Sequence, residues 1–230
     1  MGLSKERIII YLVFLVYIFF GLLYGFIINS FADKEDDVRT GKNMMFNTSS
    51  KKMIYSLVII SGIFTLIIPF LFFDMYIAFI GLAYLFFATF YSLKPLRFKE
   101  RGLLGVIVSA TTVGTLPFTM FIYIVHAPFI LGIFLMFWLF LPAFISDVIH
   151  HIEDFNNDRL TRTDTWVQRI GLKKSYAVLR YSIYLMFVSC FFPLFLFNIY
   201  NGLLICLVLL TISVWNFLED LLYPAQQSLH

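Results

Sequence analysis

The chain has 230 residues, of which 60% are hydrophobic and 13% are charged, and its mean hydropathy is +0.87. A water-soluble domain of this size cannot bury so large an apolar fraction, because about half of its residues face water. The formal net charge of +3 is too small to indicate a nucleic-acid partner, so the composition predicts an integral membrane protein in contact with lipid.

Apolar stretches of about the 20 residues that a helix needs to cross the hydrocarbon core recur along the whole chain. They are, in order, Ile8–Ile28, Met53–Phe73, Tyr76–Tyr91, Leu103–Val125, Pro128–Val148, Tyr176–Phe197 and Gly202–Tyr223. Segments in lipid must satisfy their backbone hydrogen bonds internally, which favours helices over open strands. We therefore expect one domain, residues 1–230, folded as an all-α membrane bundle of about seven transmembrane helices.

Basic residues are unevenly distributed between the loops that join these stretches. The first, third and fifth loops carry nearly all of the Lys and Arg residues, whereas the second, fourth and sixth loops contain none. Because positively charged loops stay on the cytoplasmic side, the three basic loops are expected to face the cytoplasm, with the protein in the cytoplasmic membrane. Most of the acidic residues share these loops, which predicts a polar site at one membrane face.

The first loop carries a regular series of oxygen-bearing side chains. Asn29, Asp33 and Asp37 recur every four residues, which places them on one face of a helical extension of the first span. Like charges at this spacing destabilise a helix unless a cation lies between them. Carboxylates suit Mg²⁺, which usually takes one or two of them and completes its shell with water and substrate phosphates.

The fifth loop repeats this arrangement, and a basic segment separates the two acidic groups in the chain. The second acidic series is Asp147, His151, Asp154 and Asp158, with spacings of four, three and four; the basic residues are Lys94, Arg97 and Lys99. Together they predict a diphosphate held by metal ions and basic side chains. The membrane setting predicts that the rest of the ligand is a hydrocarbon.

Three segments resemble, in order and in loop placement, the motifs of the UbiA family of intramembrane prenyltransferases. The first is Asn29-xxx-Asp33-xxx-Asp37, and the second, from Tyr91 to Gly105, is similar to the family's Tyr-Ser/Thr-x-x-Pro-x-Arg-x-Lys segment. The third is Asp154-xxx-Asp158-Arg159, followed by Thr165 and Arg169-Ile-Gly171. The likeness covers roughly residues 29–171.

The resemblance implies helices around a central cavity that opens to lipid, and Mg²⁺-dependent transfer of a prenyl group from an isoprenyl diphosphate to an acceptor. The catalytic residues that it implies are Asp33, Asp37, Asp154 and Asp158. The implied metal ligands are Asn29, Asp33, Asp37, Asp154 and Asp158. The implied diphosphate-binding residues are Asn29, Tyr91, Lys94, Arg97, Lys99 and Arg159.

The second acidic motif departs from the family pattern at its start. His150-His151 stand where the family usually has Asn-Asp, so His151 occupies the position of a carboxylate. Asp147 lies one turn earlier on the same face and is a further candidate metal ligand, which would restore the missing oxygen. The alternative is that both histidines are ordinary interfacial residues.

The helix count is lower than the nine that are typical of the family, so a second chain could be needed to close the cavity. Gly21-xxx-Gly25 in the first span offers a small-residue surface for a homo- or hetero-oligomer, although packing within the chain is the favoured use. Two other functions remain open from the sequence. One is a terpene cyclase on the same scaffold, and the other is a catalytically inactive prenyl-lipid-binding or partner subunit.

Overall fold

The computed structural model describes residues 4–41, 51–193, 206–208 and 210–211. Every regular element in these ranges is helical, which confirms the predicted all-α fold. The helices are α1 Lys5–Ala32, α2 Lys34–Thr40, α3 Lys51–Phe72, α4 Met75–Ser92, α5 Leu103–Ile124, α6 Phe129–Glu153, α7 Phe155–Thr161, α8 Trp166–Ile170 and α9 Leu172–Ser189.

Five of these helices, α1, α3, α4, α5 and α6, are long and apolar enough to cross a membrane, and they match the first five predicted spans. Their outer surfaces present large apolar side chains such as Leu71 and Phe129, as expected for helices in contact with lipid. Helix α9 contains Lys173, Lys174 and Arg180 and is less apolar than these five. The end of the sixth predicted span and most of the seventh lie outside the described residues.

The first acidic motif runs across the end of α1. Asp33 interrupts the helix for a single residue, and α2 begins at the next residue, Lys34. Gly41, which has a positive φ of 73°, ends α2. The predicted helical extension of the first span is therefore present, with a joint at Asp33. This extension carries Asp37 beyond the apolar part of α1.

Helix α5 contains one π-helical stretch, Thr111–Thr115, between two α-helical parts. Gly114 lies in this stretch, where a Cβ atom would be only 2.7 Å from the carbonyl oxygen of Leu139 on α6. The absence of a side chain thus allows the backbones of α5 and α6 to approach closely. Such local π-helical turns in α-helices are frequent near functional sites.

The bundle has two packed groups of helices. In one group, α1, α3 and α4 pack together, with Tyr24 and Tyr84 in their shared core; in the other, α5, α6 and α9 bury Trp138 and Leu179. Gly21 of α1 faces Tyr84, since a Cβ on Gly21 would lie 3.2 Å from that ring. The small-residue face of α1 is therefore used for packing within the chain.

Candidate active site

A cavity of about 310 Å³ lies between the two groups of helices. Its walls come from α1, α2, α4, α5, α6 and α7, and it extends from the acidic loops towards the interior of the bundle. The inner wall is largely apolar and includes Leu22, Phe26, Tyr84, Ala88 and Val113. The cavity thus joins a polar mouth to an apolar interior, an arrangement that suits a ligand with a charged head and a hydrocarbon tail.

The first acidic motif lines the mouth with all three of its predicted residues, Asn29, Asp33 and Asp37. The Ser92 hydroxyl at the end of α4 donates a hydrogen bond to the side-chain oxygen of Asn29. The Lys99 ammonium contacts the Asp33 carboxylate. These contacts join the first motif to the basic segment. Lys99 and Asp33 are 66 residues apart in the sequence.

Lys99 is held at the cavity wall by a short helical turn. It lies in the 3₁₀ turn Phe98–Glu100 and is 8% exposed. This turn packs directly on the start of α5, because Gly105 there has no side chain: a Cβ would lie 2.5 Å from the Phe98 carbonyl oxygen. The close backbone approach at Gly105 therefore fixes where the Lys99 side chain begins.

The other basic residues of this segment have different surroundings. Arg97 has a φ of 37°, and its guanidinium lies 2.7 Å from the Glu100 carboxylate and 3.8 Å from that of Asp33. Arg97 borders a separate cleft beside Lys34 and does not line the main cavity. Lys94 is exposed and borders neither space. Of the predicted basic ligands in this segment, the structure thus brings Lys99 to the cavity.

The second acidic motif lines the same cavity with Asp154 and Asp158. The Thr165 hydroxyl donates to Asp158 Oδ2 at 3.2 Å, which gives a physical role to a threonine that belongs to the sequence motif. Arg159 is exposed and does not border the cavity. Polar lining residues that the sequence motifs did not predict are Asn157, Thr161 and Thr163.

Arg169, in the downstream part of the same motif, ties the third loop to the fifth. Its guanidinium donates to the Glu100 carbonyl oxygen at 2.8 Å and to the Asp164 carboxylate at 2.8 Å. The hydrogen bond with Asp164 raises the pKa of Arg169 above its ordinary value. Arg169 therefore holds the turn of Lys99 next to the second acidic motif, although it is not itself part of the cavity wall.

Asp147 lines the cavity deeper than the two motifs, on α6. Its Oδ1 atom accepts hydrogen bonds from the Ser109 hydroxyl at 2.7 Å and from the Tyr91 hydroxyl at 3.4 Å. The predicted residues Asp147 and Tyr91 thus meet across 56 residues of sequence. Ser109 was not predicted; its only signal is a hydroxyl in an otherwise apolar span, and such residues are common in membrane helices.

The donors in the cavity suit Mg²⁺ in kind, since carboxylate and amide oxygens are its usual protein ligands. Within the described ranges, no three His, Cys, Asp or Glu side chains converge on one point as a preformed metal cage. That arrangement agrees with a Mg²⁺ that takes one or two carboxylates and completes its shell with substrate phosphates. The residues that fit this role at the mouth are Asn29, Asp33, Asp37, Asp154 and Asp158.

Comparison with known proteins gave one family match. The sequence model of the UbiA prenyltransferase family matches residues 4–227, nearly the whole chain. Neither the curated proteins nor the solved structures that were compared gave a significant match.

Proposed function

The chain belongs to the UbiA prenyltransferase family, a family of prenyl-transferring membrane proteins, and from that premise we propose that it transfers a prenyl group from an isoprenyl diphosphate to an acceptor, with Mg²⁺ as the cofactor. The observation that carries this proposal is the position of the two acidic motifs. Asp33 and Asp37 of the first motif and Asp154 and Asp158 of the second line the same cavity. One diphosphate between them would be within reach of both motifs.

The charge of the cavity supports a requirement for divalent cations. Among the described lining residues there are five carboxylates, from Asp33, Asp37, Asp147, Asp154 and Asp158, and Lys99 is the only Lys or Arg. With neutral histidines, five carboxylates and one ammonium give a formal charge of −4. A diphosphate would be repelled from such a site unless cations accompanied it. When bound, Mg²⁺ would neutralise the charge that develops on the diphosphate leaving group.

The protein's own groups have three tasks in this proposal. Lys99, positioned by Asp33 and by the turn at Gly105, presents a cation to the diphosphate. Asn29, oriented by the Ser92 hydroxyl, offers an amide oxygen at the mouth. The apolar inner wall takes the hydrocarbon tail and keeps water away from the allylic carbon while its bond to the diphosphate oxygen breaks.

The distribution of charge in the loops supports one orientation in the membrane. We propose that the acidic mouth faces the cytoplasm, where the diphosphate donor would enter from water while its tail enters from lipid. The positive-inside rule supports this orientation, because the loops that build the mouth are the basic ones.

The proposed reaction is tested by Mg²⁺-dependent release of inorganic diphosphate from prenyl diphosphates of increasing length, with purified protein in lipid nanodiscs. Asp33→Ala and Asp154→Ala are expected to lower the rate by about 100-fold or more, since each removes part of a site that acts on the developing charge. Two matched controls remove a neighbouring carboxylate that does not line the cavity, Glu35→Ala and Glu153→Ala. They are expected to keep the wild-type rate.

Analysis of the products separates the remaining functions. A prenylated acceptor supports the transferase, whereas a free cyclic hydrocarbon would indicate a cyclase. Binding of every donor without release of diphosphate, across a panel of acceptors, would contradict the enzymatic proposal and indicate a binding or partner subunit.

A further inference from the structure

Two neighbouring side chains in the deep part of the cavity have atoms that lack a hydrogen-bond partner. Asp147 and His151 lie one turn apart on the same face of α6, and both line the cavity. His151 is 6% exposed. Within the described part of the chain, Asp147 Oδ2 and His151 Nδ1 are buried and make no hydrogen bond. Leaving such atoms unsatisfied is costly, so a polar group that reaches them from the cavity would be stabilised at this place.

The two atoms define the chemistry of that group. Asp147 Oδ1 already accepts from Ser109 and Tyr91, so the carboxylate is held in one orientation and Oδ2 remains as an acceptor. The Nδ1 atom of a neutral imidazole either donates or accepts, depending on the tautomer. A single hydroxyl satisfies both atoms, because its proton can be donated to Oδ2 while its oxygen accepts from Nδ1–H.

Other groups fit this place less well. The oxygens of an acceptor carboxylate or carbonyl only accept hydrogen bonds, and they would face the negative charge of Asp147. Lys99, the one ammonium among the described lining residues, already contacts Asp33 at the mouth. Among the described residues, the deep part of the cavity therefore has no Lys or Arg that could bind an acidic acceptor through its carboxylate.

We propose that Asp147 and His151 form the acceptor subsite and that they bind a hydroxyl group of an acceptor that is uncharged at this end. The assignment of this site to the acceptor rests on the proposed prenyl transfer, but the binding of a hydroxyl group can be tested without that reaction. In this proposal Asp147 Oδ2 accepts a hydrogen bond from the acceptor, whereas the sequence predicted that Asp147 binds a metal ion.

The test compares three probes that share one ring system: 1-naphthol, 1-methoxynaphthalene and 1-naphthoate. Their binding to the full chain in nanodiscs is measured by equilibrium dialysis against empty nanodiscs, once with Mg²⁺ and once with EDTA, and always without any prenyl diphosphate. One hydrogen bond to a charged group corresponds to about 10-fold to 100-fold in affinity. We expect 1-naphthol to bind more tightly than its methyl ether by about that factor, and 1-naphthoate to bind most weakly.

Asp147→Asn provides a signature that a merely structural role would not produce. The amide keeps an oxygen for the Ser109 hydrogen bond and replaces the acceptor Oδ2 by a donor, so the preference for the hydroxyl over the ether should fall to about one. His151→Phe fills the same space without the nitrogen and should reduce the preference. Thr65→Val is the control, because Thr65 is buried on α3, donates to the Ser61 carbonyl oxygen and is not among the described residues that line the cavity.

Three results would overturn the proposal. They are equal binding of the three probes to the wild type, a preference for the hydroxyl that survives Asp147→Asn, and a preference that EDTA abolishes, which would assign Asp147 to a metal instead. Because no donor is present, the absence of diphosphate release in the transferase assay would not alter this outcome. The two proposals can therefore fail separately.

Discussion

Gly105→Ala is expected to displace the turn that carries Lys99. The added Cβ would lie 2.5 Å from the Phe98 carbonyl oxygen and 3.0 Å from the Lys99 Cα atom. Carbon–oxygen contacts in proteins normally begin at about 3.3 Å, so the turn must move by about 0.8 Å. Both neighbours are backbone atoms, which cannot escape by a rotamer change.

The expected cost has a structural and a functional part. Overpacking of this kind typically destabilises a protein by about 1–3 kcal/mol. A displacement of about 1 Å at a catalytic group can lower the rate by about 100-fold. We therefore expect a lower melting temperature together with a fall of this order in Mg²⁺-dependent diphosphate release per folded molecule.

Both quantities can be measured on the same nanodisc preparation, by differential scanning fluorimetry and by the release assay. Gly132→Ala is the matched control: its Cβ would lie 2.9 Å from a flexible side-chain methyl of Ile122, and Gly132 does not line the cavity. It should lose some stability and keep its activity. If Gly105→Ala melted at a lower temperature but retained the wild-type rate per folded molecule, the proposed positioning of Lys99 would be refuted.

Three further changes have defined outcomes. Tyr84→Ala removes a ring from the apolar inner wall, so the release assay should show its optimum shifted to longer prenyl diphosphates; an unchanged length profile would exclude Tyr84 as a limit on the tail. Arg169→Lys keeps the charge but loses the planar guanidinium that donates to the Glu100 carbonyl oxygen. Titration of an unreactive prenyl diphosphate analogue should show binding weakened several-fold. Asp74→Ala removes the N-cap of α4 and should cost about 1 kcal/mol in thermal melts at pH 7. Hydrogen bonds from the Tyr123 hydroxyl and from backbone N–H groups lower the pKa of Asp74, so this stabilisation is present above the carboxyl's unfolded pKa of about 4. The melting temperatures of the wild type and the variant should therefore converge as the pH falls below that value. A difference in melting temperature that stays constant with pH would contradict this account.

The sequence predicted the spans well where apolar residues are uninterrupted, and less well where charge enters a helix. The fifth span was expected to end at Val148, but α6 continues to Glu153, and His150 and His151 in this extension line the cavity. Helix α9 covers most of the sixth predicted span, Tyr176–Phe197, and contains Arg180; the end of that span lies outside the described residues, so the span itself stays a prediction.

The acidic side of the site was predictable from spacing, whereas the basic side was not. Asp33 and Asp37 follow a helical period, so their common direction can be read from the sequence. The segment from Lys94 to Lys99 has no such period, and its backbone has a positive φ at Arg97 that the sequence does not indicate. Contacts such as Ser109 with Asp147 depend on how two helices pack, which a single sequence does not reveal.

The central claim is that the two acidic motifs hold the same diphosphate. It is tested most directly by a double-mutant cycle on Asp33 and Asp154, measuring Mg²⁺-dependent binding of an unreactive farnesyl thiolodiphosphate to the wild type, both Ala variants and the double variant. If one diphosphate and its metal ions bridge both motifs, each single change should weaken binding strongly, and the double change should cost less than the two single losses combined. Losses that simply add, or a single variant that binds as well as the wild type, would contradict a shared site.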